Sequence, residues 1–158
     1  MDEIYTGVVV AAIVGAGLIT GLFFAFSNFV LRALSDLPVD KAMFAMQRIN
    51  VKIINLMFML FFLGTTVLCC IIVFTLVQSS SVFDNLYLLV GALGYLIGPF
   101  GITMLFNVPL NNLLARTDAS SADKIWPMYK IKWQWWNHIR TYIGMVSVVF
   151  LVMGFGNI

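Results

Sequence analysis

A chain of 158 residues that is 61% hydrophobic and 10% charged cannot hide its apolar surface in a water-soluble core, because ordinary globular domains hold about 45–50% apolar and about 25% charged residues. With a mean hydropathy of +0.98, it reads as one integral membrane domain spanning residues 1–158. The net charge of +2 says little by itself, but no basic run suggests nucleic acid. The Trp/Lys cluster at 126–135 suits a membrane edge, where amphipathic aromatics and lysines gather.

The first apolar run, Ile4 to about Leu34, predicts a retained spanning helix, since about 20 apolar residues cross a bilayer. Its acidic start (Asp2, Glu3) and its length set it apart from a cleavable leader, which begins with positive charge and has about 7–15 apolar residues. Gly7, Ala11, Ala12, Gly15, Gly17 and Gly21 predict close helix approach inside the molecule. The run then turns aromatic and polar at Phe23, Phe24, Phe26, Ser27, Asn28, Phe29 and Arg32.

A break follows at 35–40, where Pro38 disfavours helix at Leu37 and Asp40 is a good N-cap. A second helix is predicted over 41–77, roughly 55 Å long against a hydrocarbon core of ~30 Å, so its start must project beyond the membrane. Met43, Gln47 and Asn50 share a face there, with Arg48, Lys52 and Asn55 nearby. Cys69 and Cys70 are adjacent, point about 100° apart on a helix, and predict no mutual disulfide.

Residues 78–81 read as a loop, with Asp84 and Asn85 as caps for a third helix over 85–106. Gly91, Gly94, Gly98 and Gly101 suggest close packing, and Pro99 a kink. Asn107, Asn111 and Asn112 follow at the membrane edge, where turn chemistry competes with a site role. Ser120, Ser121 and Asp123 signal the start of a fourth helix over 123–156, amphipathic to Gln134 and spanning from about Ile139.

All nine Lys and Arg residues lie at the ends or in the connections of helices one to two and three to four: Arg32, Lys41, Arg48, Lys52, Arg116, Lys124, Lys130, Lys132 and Arg140. By the positive-inside bias, segments 35–52 and 107–138 are expected on the cytoplasmic side of a bacterial-type plasma membrane, with both termini outside. The expected fold is an all-α transmembrane four-helix bundle.

Polar residues from all four helices reach one depth: Ser27, Asn28 and Arg32; Gln47, Arg48, Asn50 and Asn55; Asn107, Asn111 and Asn112; Asn137, His138, Arg140 and Thr141. Polar groups at membrane depth usually face the bundle interior and mark function. In the stretch 133–141, Trp133, Asn137, Arg140 and Thr141 share a face that Gly144 continues. The single histidine, His138, sits beside that face with Gln134, Trp135 and Tyr142. It is a candidate base or ligand, set against the alternative of a hydrogen-bonded interfacial histidine. Arg140 and Arg32 compete with headgroup anchoring, and Trp133, Trp135 and Trp136 with an aromatic belt. One histidine and two mid-helix cysteines do not make a first metal shell. No cofactor is predicted, although a haem held by His138 and a methionine, or a quinone, stays open.

Phe26-Ser27-Asn28-Phe29-Val30, Ala45-Met46-Gln47-Arg48-Ile49-Asn50, Asn107-Val108-Pro109-Leu110-Asn111-Asn112-Leu113 and Trp136-Asn137-His138-Ile139-Arg140-Thr141 resemble the anthrone-oxygenase-like family of small four-helix membrane proteins. Most relatives are bacterial, and a chiefly fungal minority oxidises anthrones to anthraquinones. The resemblance implies a cofactor-independent oxygenase of a hydrophobic aromatic molecule. His138 would form the carbanion-enolate, histidine being the side-chain type that titrates near neutrality. Arg140, Asn50 and Asn111 would hold the oxyanion, and Trp133 or Trp136 would stack on the substrate. Asn137, Gln47, Ser27, Asn28 and Asn107 complete the substrate-binding candidates. The reading from a different class is a non-catalytic accessory subunit of a larger membrane complex, a homo-oligomer, or a protein that binds lipid, quinone or haem.

Overall fold

The computed structural model describes residues 3–79 and 85–156, and its regular elements are helical throughout. Four helices are long and apolar enough to cross a membrane: α1 (Glu3–Ser35), α3 (Leu56–Gln78), α4 (Leu86–Ala115) and α5 (Ala119–Phe155). A shorter amphipathic helix, α2 (Val39–Lys52), precedes α3. The spans close a ring in which α5 packs on α1 and α4, and α3 packs on those same two helices from the other side. The chain is an integral membrane protein. The outward faces of the spans are apolar, as at Leu60, Val67 and Phe74 on α3, because lipid takes the place of water there.

The expected continuous helix over 41–77 is interrupted at Ile53–Asn55. No glycine or proline causes this. Asn55 adopts an extended backbone (φ −125°, ψ 167°). Its Oδ1 accepts from the Phe58 N–H at 3.1 Å, and its Nδ2 donates to the Lys52 carbonyl at 3.0 Å. One side chain thereby starts α3 and caps the end of α2. At the front of α2, Pro38 occupies the N-cap position. Asp40 falls in the first turn instead, where its charge suits the helix dipole.

The third helix does not end at Phe106 but runs on to Ala115. Its middle, Leu96–Asn107, is wound as a wide π-helix around Pro99, and the Val108 N–H bonds Thr103 O, five residues back. A widened turn tolerates a residue that lacks an N–H. A second wide turn, Phe26–Val30, interrupts α1. Of the two residues expected to cap this helix, Asn85 stands at the N-cap without a side-chain bond, whereas Asp84, like Ser80 and Ser81, lies outside the described residues.

Glycines set the helix spacing, with a phase the sequence did not reveal. A Cβ at Gly144 would lie 2.6 Å from Thr20 Oγ1 and 3.1 Å from Pro99 Cγ, so α1, α4 and α5 meet there. Gly91 and Gly98 are filled by Leu151 and Ile143 of α5, and Gly15 by Thr65 of α3. Gly17 and Gly21, expected to pack internally, have nothing within 4 Å and face outward. Cys69 is buried and Cys70 exposed, both as free thiols.

Two apolar clusters fill the ring. One gathers Val9, Ile19, Phe23, Phe62, Leu88, Tyr95 and Leu151. The other gathers Leu31, Met43, Met46, Leu114, Trp126, Tyr129 and Trp133 at the end that carries the basic residues. Along α1, α4 and α5, buried polar residues lie between the two.

Candidate functional site in the interior of the bundle

Five residues of α5 at helical spacing, Trp133, Asn137, Arg140, Thr141 and Gly144, are all buried against the other helices. Arg140 is 4% exposed. Its Nε and Nη2 donate to Asn137 Oδ1 at 3.0 and 2.7 Å, and its Nη1 donates to Thr103 Oγ1 at 2.8 Å. Thr103 in turn donates to Pro99 O at 2.5 Å within the wide turn of α4. The guanidinium carbon lies 3.7 Å from the centroid of the Phe23 ring and 5.2 Å from that of Trp133.

No carboxylate accompanies this charge; among the described residues the ion pair found is the exposed Lys41–Asp40. Burying an ion costs several kcal/mol after relaxation. Three charge-assisted hydrogen bonds and ring-face contacts, the latter worth about 2 kcal/mol when desolvated, offset part of that. A guanidinium has five N–H donors, so one on each Nη has no acceptor among the described residues.

Asn137 ties the cation to α1. Its Nδ2 donates to Phe23 O at 3.0 Å and to Ser27 Oγ at 2.7 Å. Thr141 donates to Asn137 O at 2.6 Å, so the Ser27 hydroxyl, 3.1 Å away, must donate to Thr141. Gln134 Nε2 donates to Ser27 O at 3.1 Å. The wide turn makes these contacts available, because a change from i−4 to i−5 bonding leaves a carbonyl without its helical donor.

On the α2 side, Asn50 Nδ2 donates to Tyr129 OH at 3.4 Å, and Tyr129 OH donates to Asn111 Oδ1 at 2.9 Å. Gln47 Nε2 donates to the Leu114 and Thr117 carbonyls at 2.8 and 2.9 Å, capping the end of α4. Asn50, Asn111, Thr103, Trp133 and Arg140 then line one cavity of about 100 Å³, walled further by Phe23, Phe26 and Phe58. Trp133 Nε1 is buried without a protein partner.

The family model described as anthrone oxygenase matches residues 57–150, which is 94 of the chain's 158 residues. The chain belongs to the anthrone oxygenase family. The part matched to anthrone oxygenases holds Thr103, Asn111, Trp133, Asn137 and Arg140, while Phe23, Ser27, Gln47 and Asn50 precede it. Searches of curated proteins and of solved structures found no match.

The expected site residues of this anthrone oxygenase family member divide between the interior and the outer side of α5, with Gln47 apart at the end of α4. Arg140, Asn50, Asn111 and Trp133 share the cavity. Asn137 and Ser27 stand behind Arg140, and Asn107 is buried with its Nδ2 on Trp133 O at 3.2 Å. His138 is not among them. It follows Asn137 onto the outer side of α5, about 200° round the helix from Arg140. There it lines a groove of about 200 Å³ with Phe24, Asn28, Arg32, Tyr142 and Met145, whose floor includes Ser27 and Thr141 of the interior network. Asn28 is exposed. Trp136 stacks on Phe106 at 3.6 Å and 10° and lines a second outer groove.

Thr103, Tyr129 and Phe23 entered the site without having been singled out. Tyr129 was accessible in principle, since it lies four residues before Trp133 and eight before Asn137 on the same face. Thr103 carried no such signal, because its place depends on the wide turn around Pro99.

Proposed function

We propose that the interior cavity is the substrate site of a cofactor-independent oxygenase of anthrone-like aromatic ketones, with Arg140 stabilising the reacting anion. The observation that carries this reading is a buried guanidinium with no carboxylate beside it, facing an aromatic-walled cavity. The ketone oxygen is held by the spare N–H groups of Arg140, with Asn50 and Asn111 alongside. Loss of a methylene proton spreads negative charge onto that oxygen, where a preorganised cation in a low dielectric is worth most. The carbanion-enolate gives one electron to dioxygen, and the resulting carbon radical and superoxide combine as a peroxide anion, which takes the proton back as a hydroperoxide. Elimination of water leaves a second carbonyl, so one oxygen atom is kept and the other departs as water. Because His138 opens onto the other side of α5, the methylene proton passes to water or hydroxide admitted with the substrate.

Three fused rings need more room than the cavity of about 100 Å³, since one of about 150 Å³ admits a single benzene. The wall suited to yield is α2, which supplies Met46, Ile49 and Asn50 and is joined to α3 by the Ile53–Asn55 break. Ile54, 68% exposed, lines the cavity from that break, so an apolar substrate dissolved in the bilayer has a sideways route there. The distribution of Lys and Arg supports placing this end of the bundle on the cytoplasmic side of a bacterial-type plasma membrane, with both termini opposite.

The test is anthrone consumption and dioxygen uptake by purified Arg140→Gln, compared with His138→Ala. We expect Arg140→Gln to lose about 10²-fold or more in turnover while His138→Ala stays close to the parent. Undiminished turnover in Arg140→Gln overturns the assignment, and a loss confined to His138→Ala moves the site to the outer groove.

A further inference from the structure

His138 and Arg32 take no part in the interior cavity, and the surface they share has its own organisation. Three grooves run into one another on the outer side of α5. The first holds Arg32, Asn28 and His138; the second shares Arg32 and adds Lys130 and Asp36; the third shares His138 and Lys130 and adds Lys132 and Trp135. Three fixed cations and a histidine thus face one carboxylate. Among the described residues, none of those four has an ion-pair partner or a side-chain hydrogen bond.

The first groove also meets, at Tyr142, an aliphatic slot of about 430 Å³ between α4 and α5, formed by Leu93, Ile97 and Val146 among others. Tyr142 and Trp135 are 68% and 64% exposed, as befits aromatics at a membrane interface. Unpaired cations and donors at one end, joined to an apolar slot that continues along the span, match a molecule with an anionic head and a hydrocarbon tail. A free phosphate would leave the slot empty, and a second protein would need no such pairing of head and tail.

We infer that this face binds an anionic phospholipid, with its phosphate at Arg32 and His138 and one acyl chain in the slot below Tyr142. The inference is independent of the role given to Arg140. It is tested by native mass spectrometry of the full chain in detergent, titrated with phosphatidylglycerol or phosphatidylcholine. Phosphatidylglycerol should be retained as a single adduct at concentrations where phosphatidylcholine is not. Arg32→Ala should weaken retention about fivefold, and Arg32→Ala with Lys130→Ala roughly thirtyfold, from about 1 kcal/mol per basic residue near an anionic surface. Arg32→Lys and Lys41→Ala, at a lysine that lines none of the three grooves, should both hold the lipid, and Ile97→Trp, which narrows the slot, should weaken it. Equal retention of the two lipids, equal loss in Lys41→Ala, loss in Arg32→Lys, or displacement by inorganic phosphate at matched concentration would each overturn the inference.

Discussion

Arg140 and His138 lie two residues apart on one helix, at nearly the same depth, and inhabit different chemical worlds. The inner face of α5 holds a cation whose neighbours are nearly all committed: Asn137, Thr103, Phe23 and Trp133 each touch the guanidinium. The outer face holds Arg32, Lys130, Lys132 and His138, which among the described residues have no ion-pair or side-chain hydrogen-bond partner. The contrast teaches that polarity at membrane depth marks a level in the bundle, while helical phase decides which residues at that level are structural. A ring of polar residues on four helices is therefore two surfaces back to back.

The comparison is broken most severely at Asn137. Replacing it with alanine leaves the guanidinium short of its acceptor, and we expect a loss of about 3–5 kcal/mol, read as a shift in denaturant-induced unfolding in micelles. Asn137→Asp sharpens the point. A carboxylate should still hold the guanidinium, yet neutralise the charge that a substrate anion needs, so turnover should fall about 10²-fold; the lost donation to Phe23 O should cost about 1–3 kcal/mol, less than the loss in Asn137→Ala. If Asn137→Asp is as active as the parent, the uncompensated charge is not what drives the chemistry.

A smaller effect separates the two faces by volume. Gly144→Leu should cost about 1–3 kcal/mol, because its Cβ already collides with Thr20. Gly17→Leu, on the outward side of α1, should be near neutral in the same unfolding assay. Equal costs would mean that Gly17 is covered in the membrane. The smallest effect belongs to His138→Ala, which removes a side chain without protein partners and should move the unfolding midpoint by less than about 0.5 kcal/mol.

Much of the architecture was legible because the membrane imposes it. The four spans, and the grouping of Trp133, Asn137, Arg140 and Thr141 on one face of α5, follow from apolar length and a period of 3.6. What escaped was phase and local winding. Gly17 and Gly21 have the spacing of a packing motif, but spacing carries no information about which way it points. The end of α2 escaped because Ile53 and Ile54 look like any apolar helix interior, and Asn55, between Ile54 and Leu56, reads as one more polar residue at the membrane edge. Thr103 was hidden for the same reason as the extension of α4: both depend on backbone wound wider than the regular helix that periodicity assumes. His138 drew attention through its rarity, which is a property of composition and not of position.

The wide turn at Phe26–Val30 amounts to one residue more than a regular helix would use between the ends of α1. That surplus residue sets the azimuth of everything before it. Winding these same residues as an ordinary helix, with none removed, would rotate residues 3–25 by roughly 100° relative to Arg32. Gly15 would then swing away from Thr65, and Gly17 and Gly21 would move toward or away from the bundle with it. The turn that lends its hydroxyl to Asn137 thus also acts as the vernier that brings the far half of α1 into mesh with its neighbours.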